Sequence, residues 1–354
     1  MTMRLAVRGR FMYSIIQLQK KLIPDLLPLL ERRYQILLYI RLMQPIGRRN
    51  LAVSLNITER VLRGEVTFLK EQNLIHVQAT GMTLTHEGET LLTQLEDSMK
   101  EVSGASLLER TIKEAFSLSE VIVVSGDSDL SPWVKKEMGR ASVACLKKYL
   151  APEENIVAVT GGTTLASVAE MMTPHVKNHK ITFVPARGGL GENVKNQANT
   201  ICAKMAERSS QDYRLLHVPD QLSDDTYRSM IEEPLIQNML HLIRSSNIIL
   251  HGIGEAMTMA KRRQTSESDL NKIKNGHAVG EAFGYYFDQN GKIVHKVKTI
   301  GIQLDDLNHN KYVIAVAGGS TKAKAIKAFL NQARNSILIT DEGAAKELAR
   351  DLIF

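Results

Sequence analysis

Cysteine is scarce: only Cys145 and Cys202 occur among 354 residues, and both fall inside amphipathic helical patterns. That excludes a disulfide framework and fits two buried thiols in a reducing cytosol. No run of eighteen apolar residues occurs, so no membrane span or membrane partner is expected, and a cytoplasmic protein is. The N-terminus carries Arg4, Arg8 and Arg10, but no apolar core or small-residue cleavage site follows, which argues against a signal peptide. No His, Cys, Asp and Glu cluster has metal-ligand spacing, so no metal is expected. His251 and His277 read as structural, and Asp305-Asp306 as a solvated turn. Nothing is low-complexity, and one short string is the only internal repeat.

That repeat is informative. Val157-Ala-Val-Thr-Gly-Gly-Thr-Thr164 returns as Ile314-Ala-Val-Ala-Gly-Gly-Ser-Thr321, each a β-branched strand entering two glycines and then hydroxyls at a helix start. Such a turn aims backbone N–H groups and a positive helix N-terminus at one point, which suits a phosphate. Lys322 follows the second copy. A third loop, Pro185-Ala-Arg-Gly-Gly-Leu-Gly191, carries Arg187, whose fork suits phosphate. A fourth, His251-Gly-Ile-Gly-Glu255, leads into Lys261, Arg262 and Arg263. Gln197 and Glu281 are candidates for sugar hydroxyls, with a plain surface role equally open for each.

From residue 119 short apolar strands alternate with amphipathic helices. Strands are expected at 121–124, 156–160, 181–184, 214–218, 247–251, 312–317 and 336–339. Helices are expected at 133–150, 164–172, 195–208, 255–263, 322–332 and 342–351. This alternation requires an α/β fold with a doubly wound, mainly parallel sheet, whose strand C-termini bind ligands. Ala282–Lys298 breaks the rhythm around Gln289-Asn-Gly291 and reads as an inserted β-hairpin.

The first 75 residues are basic: their many arginines and lysines face only Asp25, Glu31, Glu59, Glu65 and Glu71. A basic module on a near-neutral body points towards a polyanion such as DNA. An apolar pattern from Met12 to Leu30, interrupted near Pro24 and Pro28, precedes helices over 31–43, 47–55 and 58–72. Thr58 is the expected N-cap of the last. A hairpin over Leu74–Val77 and Met82–Thr85 completes a winged helix-turn-helix, followed by a helical stretch from Gly88 to Phe116. In that motif Thr58, Glu59, Arg60 and Arg63 would reach base edges, while Arg48 and Arg49 would meet phosphates. The expected organisation is a DNA-binding domain over 1–95, a helical connector over 96–118 and an effector and oligomerisation domain over 119–354.

From Ile16 to Leu348 the chain resembles the SorC/DeoR class of transcriptional repressors, and within it those controlling the triose part of glycolysis. The resemblance is carried by Pro45-Ile-Gly-Arg-Arg49, Glu59-Arg-Val-Leu-Arg-Gly-Glu-Val66, Val124-Ser-Gly-Asp-Ser-Asp129 and Ser131-Pro-Trp-Val-Lys-Lys-Glu-Met-Gly-Arg140. It continues through the glycine loops, His251-Gly-Ile-Gly-Glu-Ala256 and Glu281-Ala-Phe-Gly-Tyr-Tyr286. It implies an effector domain with the sugar-phosphate isomerase-like fold, an operator DNA partner, and fructose 1,6-bisphosphate as effector rather than a cofactor. It also implies a homo-oligomer, a dimer that becomes a tetramer on DNA. Carried over by position, one phosphate meets Gly162, Thr163, Thr164, Thr321 and Lys322. Arg187, Gly189, Leu190, Gly191, Gln197, Arg262 and Glu281 would handle the other phosphate and the hydroxyls. Residues before Met12 read as an extension of the family's start, with Met12 a second candidate first residue. The alternative is an isomerase or deaminase of the same fold with Glu281 as its base; a DNA-binding module in front argues against it, and no catalytic residue is expected.

Overall fold

The computed structural model describes Leu22, Leu352 and residues 24–174, 179–189, 193–308 and 311–350. The chain divides into two compact units, Met1–Leu107 and Leu108–Phe354.

In the first unit, α1 (Leu26–Met43) buries Ile36, Leu37, Leu38 and Ile40. Pro28 lies in its first turn, where the missing N–H has no partner to lose, so the expected interruption there does not occur. The part of that pattern over Met12–Lys21 lies outside the described residues. α2 (Arg48–Ser54) and α3 (Glu59–Glu71) contribute Leu51, Leu62, Val66 and Leu69 to the same core. Thr58 caps α3, its hydroxyl accepting from the Val61 amide at 3.3 Å. The buried carboxylate of Glu65 is held by Arg33 at 2.8 Å and Arg32 at 3.5 Å. β1 (Ile75–Gln78) and β2 (Gly81–Leu84) form an antiparallel hairpin, and Ile46 exchanges backbone hydrogen bonds with Met82 on its far side. The helical stretch that follows is two helices, α4 (His86–Ser103) and α5 (Ala105–Phe116), because Gly104 adopts φ +80° and ends the first.

The second unit is built on a seven-stranded sheet. Its order is β3 (Glu120–Val124), β13 (Ile337–Asp341), β12 (Tyr312–Val316), β7 (Ile248–His251), β4 (Glu154–Val159), β5 (Lys180–Pro185), β6 (Asp212–Tyr213). Every neighbouring pair is parallel. The central strands are apolar throughout because both faces are covered. On one face α6 (Trp133–Tyr149), α7 (Thr163–Met171) and α8 (Ala198–Ser209) pack Val134, Met138, Leu165, Ile201 and Met205 onto Val157, Val159, Leu250 and Val316. α13 (Ala323–Leu330) follows β12, and α14 (Glu342–Arg350) follows β13.

Two expectations need correction. The strand placed at 214–218 is instead the two-residue β6 at Asp212–Tyr213. Beyond it the chain is tied to α8 through Asn199, whose side-chain amide exchanges two hydrogen bonds with the Leu216 backbone in place of a ladder. The inserted hairpin, β10 (Tyr285–Phe287) and β11 (Ile293–Lys296), is half of a four-stranded antiparallel sheet completed by β9 (Gly280–Ala282) and β8 (Gly254–Glu255). α11 (Ala256–Arg262) and α12 (Glu267–Asn275) pack on that sheet through Ala256, Ala260, Ile273 and Tyr286. The helices α9 (Asp224–Glu232), α10 (Pro234–Arg244) and α12 were absent from the expected set. α9 buries no residue, so its apolar side chains carry a weak core signal. Among the described residues no helix is long and apolar enough to cross a membrane.

Candidate functional site

A cavity of about 400 Å³ opens where the strand order reverses between β4 and β7, at the C-terminal ends of the parallel strands. It is lined by residues of all four glycine loops: Gly162, Thr163 and Thr164, then Arg187 and Gly188, then Gly252 to Glu255, then Thr321 and Lys322. Gln197, Arg262 and Glu281 complete the set of expected side chains around it. Gly189 does not line it, and Leu190 and Gly191 lie outside the described residues.

The loops are not equivalent. After β4, Gly162 takes φ +128° and N-caps α7 without any side-chain cap. Among the described residues the amides of Thr163 and Thr164 have no acceptor, and they begin a helix whose positive end faces the cavity. After β12, the corresponding donors are taken by the protein's own carboxylates. Asp341 accepts from the Gly319 amide at 2.7 Å. Asp129 accepts from the Thr321 amide at 2.9 Å and its hydroxyl at 2.7 Å, and Asp127 lies 3.4 Å from the Ser320 amide. After β7, Glu255 caps α11 itself, accepting from Met257 and Thr258 at 2.9 and 2.7 Å. One helix N-terminus of the three therefore offers open amides.

The third loop uses its glycine for the protein. A Cβ at Gly188 would stand 2.6 Å from the carbonyls of Val218 and Pro219, so the residue is small to let that segment pass. The segment ends on Asp220, whose buried carboxylate receives Arg187 Nε at 2.6 Å and Arg263 Nε at 3.0 Å. Glu281 Oε1 receives Arg263 at 2.8 Å, Arg187 at 3.3 Å and the Gly284 amide at 2.6 Å. Arg263 also donates to Tyr286 Oη at 2.9 Å. Two arginines and two carboxylates thus neutralise one another, three of the four in the cavity lining, as buried charges must. Burial raises the Glu281 carboxyl, but Arg263 and Arg187 outweigh it and hold the group below the usual carboxylate range. A carboxylate so stabilised is a poor proton acceptor, the reverse of what a general base requires.

The cations that remain towards the cavity are Lys322 and the exposed Arg262. Burial and the like charges of Lys135 and Arg262 push the Lys322 ammonium below its usual range, opposed by Asp129 and Asp341. A half-buried cation crowded by cations gains much from an anion. Beneath the loops His251 is fully buried against Phe283 and Phe329, and burial pushes its imidazole down to about 4. It is structural and uncharged. Both cysteines are buried with raised thiols, so neither is reactive.

Residues that sequence reasoning missed are Asp220 and Asp129, together with Asn193 and Asn196 at the cavity wall. Asp129 had a signal, since it ends one of the strings that carry the family resemblance; Asp220 had none. Arg263 stood in a basic run with Lys261 and Arg262, and its complete burial is a tertiary property.

In the first unit Arg48, Arg49, Thr58, Glu59, Arg60 and Arg63 are all exposed, gathered at the start of α2 and the N-terminal half of α3. Arg49 and Glu59 form a surface pair at 3.4 Å, weak by its exposure.

Comparison with known proteins completes the assignment. Residues 29–99 match the family model described as CggR N-terminal DNA binding domain, and residues 100–350 the model described as "Putative sugar-binding domain". The chain is 73% identical over 340 residues to the central glycolytic genes regulator of Priestia megaterium, covering 96% of this chain and 99% of that protein. It is 62% identical over 340 residues to the protein of the same name from Bacillus subtilis, covering 96% and 100%. A crystal structure of a SorC family transcriptional regulator from Enterococcus faecalis superposes with a TM-score of 0.65 at 45% identity, covering 68% of this chain and 99% of that one. These relatives are named as regulators, in accord with the clamped state of Glu281. An N-terminal DNA-binding domain is joined here to an α/β sugar-binding domain, and the chain belongs to the SorC-type family of central glycolytic genes regulators.

Proposed function

We propose that this chain is a cytoplasmic repressor of the operon for the triose part of glycolysis, released or reset by fructose 1,6-bisphosphate bound in the β4/β7 cavity. The observation that carries the ligand reading is the convergence of open α7 amides, Thr163 and Thr164 with the half-buried cation Lys322 in one cavity. In this reading one phosphate lies on Gly162, Thr163 and Thr164 with Thr321 and Lys322 alongside. Arg262 takes the second phosphate, and Gln197 and the Glu281 carboxylate, kept ionised by Arg187 and Arg263, meet the sugar hydroxyls. Gly189, Leu190 and Gly191 are assigned to the same end by the family resemblance alone.

The first unit acts as a winged helix-turn-helix. α3 enters the major groove with Arg60 and Arg63 near base edges, Thr58 and Glu59 at its mouth, and Arg48 and Arg49 on phosphates. Palindromic half-sites require at least a dimer, and a tetramer on DNA follows from two such dimers. The bisphosphate acts by binding one assembly state more tightly than another.

The test is fluorescence anisotropy of labelled promoter DNA from that operon, titrated at fixed salt with and without fructose 1,6-bisphosphate. Specific binding that weakens or changes stoichiometry with the bisphosphate is expected. Specific binding indifferent to it would remove the effector, and absence of specific binding would remove the repressor.

A further inference from the structure

Among the described glycines, a Cβ would meet open space at only Gly47, Gly64, Gly104 and Gly162. Three have a local reason to be glycine. Gly104 and Gly162 take φ +80° and +128°, and Gly47 is the N-cap of α2, a position glycine favours. Gly64 has none. It sits inside α3 with ordinary helical backbone, is exposed to solvent, and has no atom within 4 Å of a would-be Cβ. A glycine in a helix interior destabilises the helix relative to alanine, and here the folded protein gains nothing in return.

Its position on the helix points to what does gain. Leu62, Glu65, Val66 and Leu69 are the buried face of α3. At 100° per residue, Arg60, Gly64, Thr67 and Glu71 lie on the opposite face. Gly64 therefore marks a gap in the outermost ridge of the helix, one turn beyond Arg60 and next to Arg63.

We propose that Gly64 is where α3 comes closest to the floor of the DNA major groove, and that its missing side chain determines operator specificity. Without a Cβ the helix backbone sinks deeper by the width of a methyl group, which brings the Arg60 and Arg63 guanidiniums within reach of base edges. A methyl group there lifts the helix onto the groove wall, leaving phosphate contacts intact and base contacts stretched. The proposal rests on the reading of α3 as the recognition helix.

The test uses the full-length protein, a promoter duplex and a scrambled duplex of equal length, by anisotropy at one salt concentration. For Gly64→Ala, operator affinity is expected to fall tenfold or more while affinity for the scrambled duplex changes by less than about twofold. In the same variant, amide hydrogen exchange across Val61–Lys70 is expected to slow about fivefold, the gain in helix propensity from alanine. A better-ordered helix that binds its operator worse separates this role from damage to the fold. Unchanged operator affinity, equal weakening on both duplexes, or faster exchange would each overturn the proposal. Arg60→Ala and Arg63→Ala are measured in parallel. If they weaken operator binding and Gly64→Ala does not, the role of Gly64 alone falls; if none of the three does, the recognition-helix reading falls with it.

Discussion

The glycine loops after β4 and β12 have nearly the same sequence and opposite states. At Gly162 nothing stands within 4 Å of where a Cβ would be, and the amides that follow face a cavity. At Gly319 a Cβ would lie 2.5 Å from the Asp129 carboxylate, which has already taken the Thr321 donors. The difference comes from the sheet order. β13 and β3 lie beyond β12, so Asp341 at the end of one and Asp127 and Asp129 after the other reach the second loop. No carboxylate of that kind reaches the first among the described residues. A strand–Gly-Gly–helix string makes an anion site only where the fold does not bring its own anion.

The comparison breaks most readily by giving the open loop a carboxylate. Thr163→Asp places one on the first turn of α7, where it caps the helix and repels phosphate. Affinity for fructose 1,6-bisphosphate is expected to fall a hundredfold or more by calorimetry, about 3 kcal/mol. A fall below tenfold would mean that the first loop is not the phosphate site.

Acid separates the elements beneath the two loops. His251 is uncharged in the fold with its imidazole down to about 4, against 6.5 when unfolded. Below pH 6.5 the unfolded chain binds a proton that the folded one refuses, so stability falls from pH 6.5 towards 4, by about 3 kcal/mol. The Asp129 clamp behaves differently: burial raises its carboxyl, but the Thr321 bonds and Lys322 outweigh that and hold it below 3.8. Its contribution is fully present above pH 3.8 and is lost only as pH falls through that lower value. Urea unfolding followed by Trp133, the sole tryptophan, should show the first phase and lose it in His251→Asn.

Lys322→Gln removes the half-buried cation from the shared cavity and is expected to weaken the bisphosphate ten- to hundredfold, about 2 kcal/mol for a charged hydrogen bond. In the wild-type protein affinity should decline as pH rises through the Lys322 value, which lies below 10.5, because only the ammonium attracts phosphate. Asp129→Asn is the smallest change. It keeps an acceptor for Thr321 but removes a negative charge beside Lys322, and tighter bisphosphate binding by roughly threefold is expected, since Asp129 is exposed and screened. Weaker binding would show that the plug helps the ligand by ordering the second loop.

Much of this was legible in advance. The alternation of apolar strands and amphipathic helices identified a parallel sheet, because strands buried on both faces must be apolar throughout. Thr58 as an N-cap followed from local chemistry alone. Nine of the residues expected around a ligand line one cavity, since strand ends of a parallel sheet converge on a single edge. The illegible parts were those that depend on neighbours distant in the chain. Gly188 stands in a loop whose Arg187 read as a phosphate ligand, yet it accommodates the carbonyls of Val218 and Pro219. Glu281 read as free to meet a sugar or a proton, yet Arg187 and Arg263 hold its carboxylate.

By itself, then, the sequence determined the elements, their order and the sheet edge where the ligand-binding groups gather, because periodicity, caps and glycine turns act over a few residues. Only the tertiary structure decided which of those groups are open and which are already satisfied. Thr321 and Asp129 are 192 positions apart and within hydrogen-bond distance, and no local pattern records such a pairing.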